Sequence, residues 1–166
     1  PRVRMTVFKV ADHAHDVVTR RSVSRILLLI NNTPVKWITK RQKTVESSTY
    51  GSELCAGKMA IELILEYRYM LRMMRVNMED SALLLGDNKS VVLNTTMPSS
   101  VLKKKHCAVS YHRIREAVAS GIVRFAHIDS IDNYSDILTK PLPAPAFHRL
   151  VKPLLFRDPP KEDEYT

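Results

Sequence analysis

Three short segments at the start of the chain have the apolar patterning of β-strands. Residues 3–11 alternate apolar with basic positions, residues 22–30 are dense in Ile and Leu, and residues 35–39 resume an extended pattern around Trp37. The pair Asn31-Asn32 between the last two segments is typical of a tight turn, because Asn tolerates a positive φ. Together the three segments predict an antiparallel meander.

From Ser48 the apolar period becomes helical. Apolar residues recur at steps of four and three, which predicts one buried stripe on a helix of about seven turns, N-capped by Ser48 or Thr49. The stripe consists of Ala56, Ala60, Leu63, Tyr67, Met70 and Met74.

Two further strands are predicted at residues 82–85 and 122–128, separated by helices near 89–93 and 106–120. Asn133 is expected to begin a helix that ends near Pro141, and one more short helix is expected within 143–156. Because helical crossovers join the late strands, these should be parallel. The fold class is therefore α/β, a five-stranded mixed sheet of three antiparallel and then two parallel strands, flanked by helices. We expect one domain at 1–156 and an acidic, disordered tail at 157–166.

The charge indicates a polyanionic partner. Twenty-six Lys and Arg against 17 Asp and Glu give a formal net charge of +9, with a pI near 9.7. Nucleic acid is the first class of partner that this excess favours, and an anionic membrane surface is the second. A solvated basic surface without a partner is the alternative. No apolar run reaches the length of about 18 residues that a membrane helix needs.

Cys55 and Cys107 are 52 residues apart and show no C-x-x-C spacing. This usage is typical of a reducing compartment. It predicts two ordinary thiols and neither a disulfide framework nor a zinc site.

Three carboxylates lie where acidic residues are costly or conspicuous. Glu53 projects from the apolar stripe of its helix, although the first turn of a helix also favours an acid. Asp87 follows the buried strand 82–85, where ligands gather in parallel sheets, or it is a plain N-cap. Asp136 lies three residues after Asn133 and suits a capping box. In combination they predict a site for two Mg²⁺ or Mn²⁺ ions about 3.5–4 Å apart, of the kind that cleaves phosphodiesters.

Six ordered blocks, covering residues 8–150, resemble the ribonuclease H domain of copia-type retrotransposon polyproteins. They are Thr19-Arg20-Arg21-Ser22; Trp37 with Lys40-Arg41-Gln42-Lys43; Ser47-Ser48-Thr49 with Glu53; Leu85-Gly86-Asp87-Asn88-Lys89-Ser90; Lys105-His106 with Tyr111-His112-Arg113-Ile114-Arg115-Glu116; and Asp136-Ile137-Leu138-Thr139-Lys140-Pro141-Leu142-Pro143.

The resemblance implies a ribonuclease H-like fold and a metal-dependent endoribonuclease. Such an enzyme hydrolyses the RNA strand of RNA–DNA hybrids with two divalent ions, Mg²⁺ or Mn²⁺. It also implies an adjacent reverse transcriptase domain in the same polyprotein, no membrane partner, and an intracellular location in a cytoplasmic virus-like particle or the nucleus. By position, Glu53, Asp87 and Asp136 match three of the family's four metal-binding carboxylates.

The fourth carboxylate is missing from the first strand. The family's Asp-Ala-Asp pattern falls on Val10-Ala11-Asp12, so the metal-bridging position is Val10. Asp12 is the residue that can stand in, because it shares a strand face with Val10. It lies about 6–7 Å further along, two rises of about 3.3 Å. We therefore expect metal binding and cleavage to be weak or absent.

His127 precedes Asp136 by nine residues, and its position is similar to that of a histidine that assists proton transfer in cellular ribonucleases H. A structural role at a strand end is the alternative. Two basic groups are the expected phosphate contacts, which would be insensitive to base sequence. They are Lys103, Lys104, Lys105, Arg113 and Arg115, and Arg20, Arg21, Lys40, Arg41 and Lys43.

Three functions compete at this point. The first is a metal-dependent ribonuclease H, and the second is a catalytically degenerate module that binds RNA–DNA hybrids. The third, an integrase core, needs its Glu on a late helix. Here the Glu comes first, which argues against the integrase.

Overall fold

The computed structural model describes residues 3–78, 80–102, 105–139 and 141–155. Five strands form one sheet in the order β3-β2-β1-β4-β5. The strands are β1 (Met5–Asp12), β2 (Val23–Ile30), β3 (Thr33–Arg41), β4 (Ala82–Gly86) and β5 (Val123–His127). The helices are α1 (Thr49–Met73), α2 (Lys89–Thr96), α3 (Ala108–Ala119) and α4 (Ala144–Leu155).

The sheet has the predicted mixed topology. Strand β1 is antiparallel to β2 and parallel to β4, β2 is antiparallel to β3, and β4 is parallel to β5. This confirms the predicted fold class. The predicted tail at 157–166 lies outside the described residues.

Alternation along β1 divides the core between the two faces of the sheet. Met5 and Val7 pack with α1 and α3 in the larger cluster, which includes Ile61 and Ile114. Phe8 belongs to the smaller cluster on the opposite face. A 3₁₀ turn at Tyr134–Leu138 covers that face together with α4. Among the described helices, none is long and apolar enough to cross a membrane.

The long helix buries a stripe that departs from the predicted one near its C-terminus. Its last buried residue is Leu71, which belongs to the larger core cluster. Met70 and Met74 are exposed, contrary to prediction. The N-cap is Ser48, whose hydroxyl accepts from the Gly51 N–H.

The helix predicted from Asn133 to Pro141 is wrong. The chain forms two 3₁₀ turns there, Ser130–Asp132 and Tyr134–Leu138. The physical reason is tertiary, since the Asn133 side chain donates to the Lys9 carbonyl of β1 and holds the start of the segment there. The backbone then closes i→i+3 bonds, from the Asp136 N–H to Asn133 and from the Thr139 N–H to Asp136.

Helices α1 and α3 approach closely at Gly57. A Cβ built on Gly57 would lie 2.7 Å from Cδ1 of Ile114. We expect Gly57→Ala to lower the free energy of unfolding by about 1–3 kcal/mol, because the overpacking outweighs the gain in helix propensity. Ile114→Val removes the clashing methyl group. In urea unfolding, the double variant should be more stable than the sum of the two single changes, by about 1 kcal/mol or more. Simple additivity would show that the two helices do not meet there.

Candidate metal and nucleic-acid site

Two of the predicted acidic residues, Glu53 and Asp87, lie beside one short segment of β1, Lys9 to Ala11, and the turn that carries Asp136 is tied to the same segment. Strand β1 is central, so its C-terminal half has neighbours on both edges and both faces. Helix α1 brings Glu53 to one face, and the turn at Tyr134–Leu138 brings Asp136 toward the other. Strand β4 ends beside the same segment and is followed by Asp87.

Glu53 is buried and has a lysine for a partner. Its side chain is 3% exposed, and that of Lys9 is fully buried. The Lys9 ammonium forms an ion pair with one oxygen of Glu53 and donates to the Glu53 carbonyl at 3.3 Å. The other carboxylate oxygen accepts from the N–H of Ala11 at 2.8 Å. Both oxygens of Glu53 thus have a donor from β1. This burial supports the interpretation that Glu53 projects from the apolar stripe of its helix, and not the alternative of a first-turn position reached by water.

Val10 lies on the opposite face of β1 from Glu53. Its cross-strand partner is Arg25, a buried residue of β2. The Arg25 guanidinium donates to the carbonyl of Thr139 at 3.0 Å. Among the described residues, its Nε and one terminal nitrogen have no hydrogen-bond partner. A buried cation therefore adjoins the position where the resemblance expects an aspartate.

Asp12 shares the face of Val10, as predicted, but it is engaged elsewhere. One carboxylate oxygen is 2.7 Å from Nδ1 of His15 and 3.7 Å from the Arg25 guanidinium. His15 thus draws Asp12 toward the loop after β1. These contacts make Asp12 a poor substitute for a carboxylate at Val10.

Asp87 stands level with Val10 on the neighbouring strand. Gly86 pairs with Lys9, so Asp87 comes one residue further along. Ser130 donates to its carboxylate at 3.3 Å. The N-cap of α2 is Asn88, whose side chain accepts from the Val91 N–H, so Asp87 is not the cap. The His127 ring donates from Nε2 to the Asp87 carbonyl at 3.2 Å, a contact that suits a structural histidine.

Asn133 ties the Asp136 turn to β1. Its fully buried side chain donates to the carbonyl of Lys9 at 3.1 Å and accepts from the Ser135 N–H at 3.2 Å. Asp136 follows in the first turn, partly exposed. Asn133 is therefore the N-cap, as the sequence predicted, and it acts on both the turn and the central strand.

The residues present do not fit two divalent cations. Val10 offers no ligand atom, and Glu53 is neutralised by Lys9. The buried Arg25 beside Val10 would repel a metal ion. Three carboxylates facing two buried cations have little remaining charge to balance two ions of charge +2.

Most of the predicted basic residues lie at the same end of the sheet as the acids. Strand β1 ends at Asp12, β2 begins at Val23 and β3 ends at Arg41, so the neighbouring loops gather there. Lys105 begins the 3₁₀ turn that packs against the start of α1. Lys103 and Lys104 lie outside the described residues. The second group, Arg20, Arg21, Lys40, Arg41 and Lys43, lies in or beside these loops.

Both arginines of the predicted set that lie on α3 have protein partners. Arg115 donates to the carbonyls of Asn94, Met97 and Pro98 at 2.8–3.2 Å, which fastens the loop after α2. Arg113 pairs with Glu116 at 3.0 Å on the surface of α3. Arg115 therefore has an evident structural role, and its donors are directed into the protein.

Asp16 organises the loop that carries Arg20 and Arg21. Its carboxylate accepts from the N–H groups of Val18 and Thr19 and pairs with Arg41 at 2.8 Å. The hydrogen bonds from Thr19, followed by the one from Arg41, hold the pKa of Asp16 well below its usual range. The loop is thus fixed by a carboxylate that stays ionised at neutral pH.

Sequence reasoning missed Lys9, Arg25 and Asn133 as site residues. A lone Lys or Arg within an apolar strand is the available signal, because a buried charge needs a partner. That signal marks Lys9 and Arg25 but names no partner. Asn133 was identified only as a helix start.

No protein-family model matches the chain. A retrovirus-related Pol polyprotein from transposon RE2 of Arabidopsis thaliana is 28% identical over 137 residues, or 82% of this chain. The polyprotein from transposon RE1 of the same plant is 27% identical over 151 residues, or 90% of this chain. The chain is thus similar in sequence to retrovirus-related Pol polyproteins of plant transposons. It spans 9% and 10% of their respective lengths.

Solved ribonucleases H have the same fold. The N-terminal ribonuclease H domain of a Mycobacterium tuberculosis protein superposes with a TM-score of 0.60 at 11% identity, covering 90% of this chain and 97% of that one. Ribonuclease H1 of Halobacterium salinarum gives 0.59 at 15% identity, covering 83% and 94%. LC11 ribonuclease H1, solved with an RNA/DNA hybrid, gives 0.61 at 10% identity, covering 81% and 93%. The likeness establishes the ribonuclease H fold.

Removing only one partner of the Lys9–Glu53 pair should destabilise the fold strongly. Lys9→Met or Glu53→Gln alone should each lower the free energy of unfolding by about 3–5 kcal/mol, because a buried charge is left without its partner. The double variant should lose clearly less than the sum, as measured by urea unfolding. Glu62→Gln, in the exposed pair with Lys58, is the control and should change stability by about 0.5 kcal/mol or less. Equal losses in all three single variants would contradict the burial of the pair.

Proposed function

We propose that this chain is a ribonuclease H-fold module of a Pol polyprotein that binds RNA–DNA hybrids and has lost most or all of its cleavage activity. The observation that carries the proposal is the buried Lys9 ammonium on the Glu53 carboxylate. The ammonium supplies, from the chain itself, the positive charge that this carboxylate would otherwise receive from a metal ion. An adjacent reverse transcriptase domain is the expected neighbour.

Charge and topology support hybrid binding. The loops at the carboxyl end of β1 carry Arg20, Arg21 and Lys43, and β3 ends in Lys40 and Arg41. These residues lie at the end of the sheet that Glu53 and Asp87 flank. Contacts from such residues go to phosphates, so binding would follow the charge of the backbone and not the base sequence.

Residual hydrolysis by two-metal-ion cleavage is the second candidate. Its support is that Glu53 and Asp87 lie beside the Lys9–Ala11 segment and that the turn carrying Asp136 is tied to the same segment. Val10 and the two buried cations oppose it. Wild-type chain that cleaved a hybrid efficiently in Mg²⁺ would favour this candidate over the first.

Cleavage should return only when the missing acid is restored and the internal cations are removed. We expect the triple variant Lys9→Thr, Val10→Asp, Arg25→Ser to hydrolyse the labelled RNA strand of a hybrid in Mn²⁺ at least about 100-fold faster than wild type. This corresponds to about 2.7 kcal/mol of barrier. Val10→Asp alone should gain much less, because Arg25 would pair with the new carboxylate.

The matched control carries Val10→Asn in the same Lys9→Thr, Arg25→Ser background, which keeps the size of the side chain without its charge. It should stay at wild-type rates. Far-UV circular dichroism and hybrid binding confirm that each variant is folded. Wild-type cleavage equal to that of the triple variant would refute the loss of activity.

Hybrid binding should depend on Arg20 and Arg21. The double change Arg20→Gln, Arg21→Gln should reduce the slope of log affinity against log salt concentration by about 1–2, since each lost phosphate contact removes about 0.7–0.9. Fluorescence anisotropy of a labelled hybrid at several salt concentrations measures this slope. Arg72→Gln with Arg75→Gln, at the far end of α1, removes the same charge and should leave the slope nearly unchanged. Equal effects of the two pairs would show a non-specific charge effect.

A further inference from the structure

A second cluster of ligand-type side chains lies between the starts of α1 and α3. Glu46, His106 and Cys107 form this cluster, and Cys55 adjoins it through the other carboxylate oxygen of Glu46. Glu46 lies just before α1, Cys55 lies on α1, and His106 and Cys107 lead into α3. The sequence predicted two unrelated thiols, and the fold brings both to the same carboxylate.

The separations are those of ligands around one ion. One Glu46 oxygen is 3.7 Å from Nε2 of His106 and 3.8 Å from Sγ of Cys107, and the other is 3.5 Å from Sγ of Cys55. Neighbouring ligands of a tetrahedral Zn²⁺ with bonds of about 2.0–2.3 Å are about 3.3–3.8 Å apart. The ligating atoms of Glu46, His106 and Cys107 all lie within 4.8 Å of one another. Small side-chain adjustments would place a shared ion among them.

The surroundings are shaped to hold this cluster. Thr44 donates to Glu46 at 3.1 Å, which orients the carboxylate in the way that groups behind a metal ligand do. A Cβ on Gly51 would lie 2.5 Å from Glu46 and 3.4 Å from Cys107, so only glycine leaves room there. His106 is half exposed, and it gives an ion access from solvent.

Hydrogen bonding alone explains the cluster poorly. Glu46 is nearly buried, and thiols are weak donors to a buried carboxylate. A cation that replaces the thiol protons would give this carboxylate a positive charge to face in place of weak thiol donors.

We propose that Glu46, Cys55, His106 and Cys107 bind one Zn²⁺ ion. Two thiolates and an imidazole select zinc over Mg²⁺ or Ca²⁺, which prefer oxygen ligands. Four protein ligands close the coordination sphere, as in structural sites. On binding, the two thiols release their protons to solvent. The ion would fasten the start of α1 to the start of α3, beside the proposed nucleic-acid surface and separate from the Glu53 site.

Metal titration of the intact chain tests the site without nucleic acid. The reduced protein, kept in a non-thiol reductant, is stripped of metal and titrated with Co²⁺ and then with Zn²⁺ in excess Mg²⁺. We expect one ion per chain, a thiolate-to-cobalt charge-transfer band, and displacement of Co²⁺ by Zn²⁺. Zn²⁺ should also raise the melting temperature, because it binds the folded state.

Ligand variants decide between a built site and adventitious binding. Each substitution of a ligand should weaken Zn²⁺ binding by more than about 10–100-fold, which is the loss expected when a group that only orients a ligand is removed. The four variants are Cys55→Ser, Cys107→Ser, His106→Gln and Glu46→Gln. Each Cys variant should lose about half of the charge-transfer intensity. His148→Gln, on the exposed face of α4, is the matched control and should bind like wild type.

His106→Gln changes a half-exposed side chain, so the fold should survive even if a Cys variant unfolds. Substoichiometric binding, absence of the charge-transfer band, or unchanged affinity in the variants would overturn the proposal. If Cys55→Ser alone binds Zn²⁺ like wild type, Cys55 is not a ligand and the closed four-ligand site is overturned. None of these results depends on whether the chain binds or cleaves a hybrid.

Discussion

The pairing of β1 along both of its edges is the constraint on which the rest of the structure depends. With β2 on one side and β4 on the other, every β1 side chain must point to one of two covered faces. Lys9 is thereby sent into the α1 interface and Val10 toward the Asp136 turn. The same pairing fixes the level of Asp87 relative to Val10. The chemistry of the acidic end of the sheet follows from which residue occupies each of these two successive positions.

The strands and the long helix could be predicted because their apolar periods are local. The β1–β3 meander, the Ser48 cap and the parallel β4–β5 pair all follow from patterns within a few residues. The turn after Asn133 could not, since its fate depends on a hydrogen bond to β1 that joins residues 124 positions apart. The burial predicted for Met70 and Met74 was wrong for a similar reason, because which residues at the end of a helix are covered is a tertiary property.

The candidate site divides in the same way. Glu53, Asp87 and Asp136 could be selected by position and resemblance, and the structure places Glu53 and Asp87 beside one segment of β1 to which the Asp136 turn is tied. The buried cations of the site could not be selected from the sequence. The roles of Lys9 and Arg25 are known only when the elements packed against each face of the sheet are known. Cys55 and Cys107 make the same point. Their spacing suggested no shared site, whereas the packing of α1 against the start of α3 gives them a common neighbour in Glu46.

A cation that is covalently part of the chain behaves differently from one that is bound from solution. The Lys9 ammonium is present at a fixed local concentration whatever the ionic composition of its surroundings. At Glu53 the neutralising charge is therefore in place as soon as β1 meets α1. The charge balance of this part of the core is set by the covalent chain, and it does not depend on an equilibrium with ions in solution.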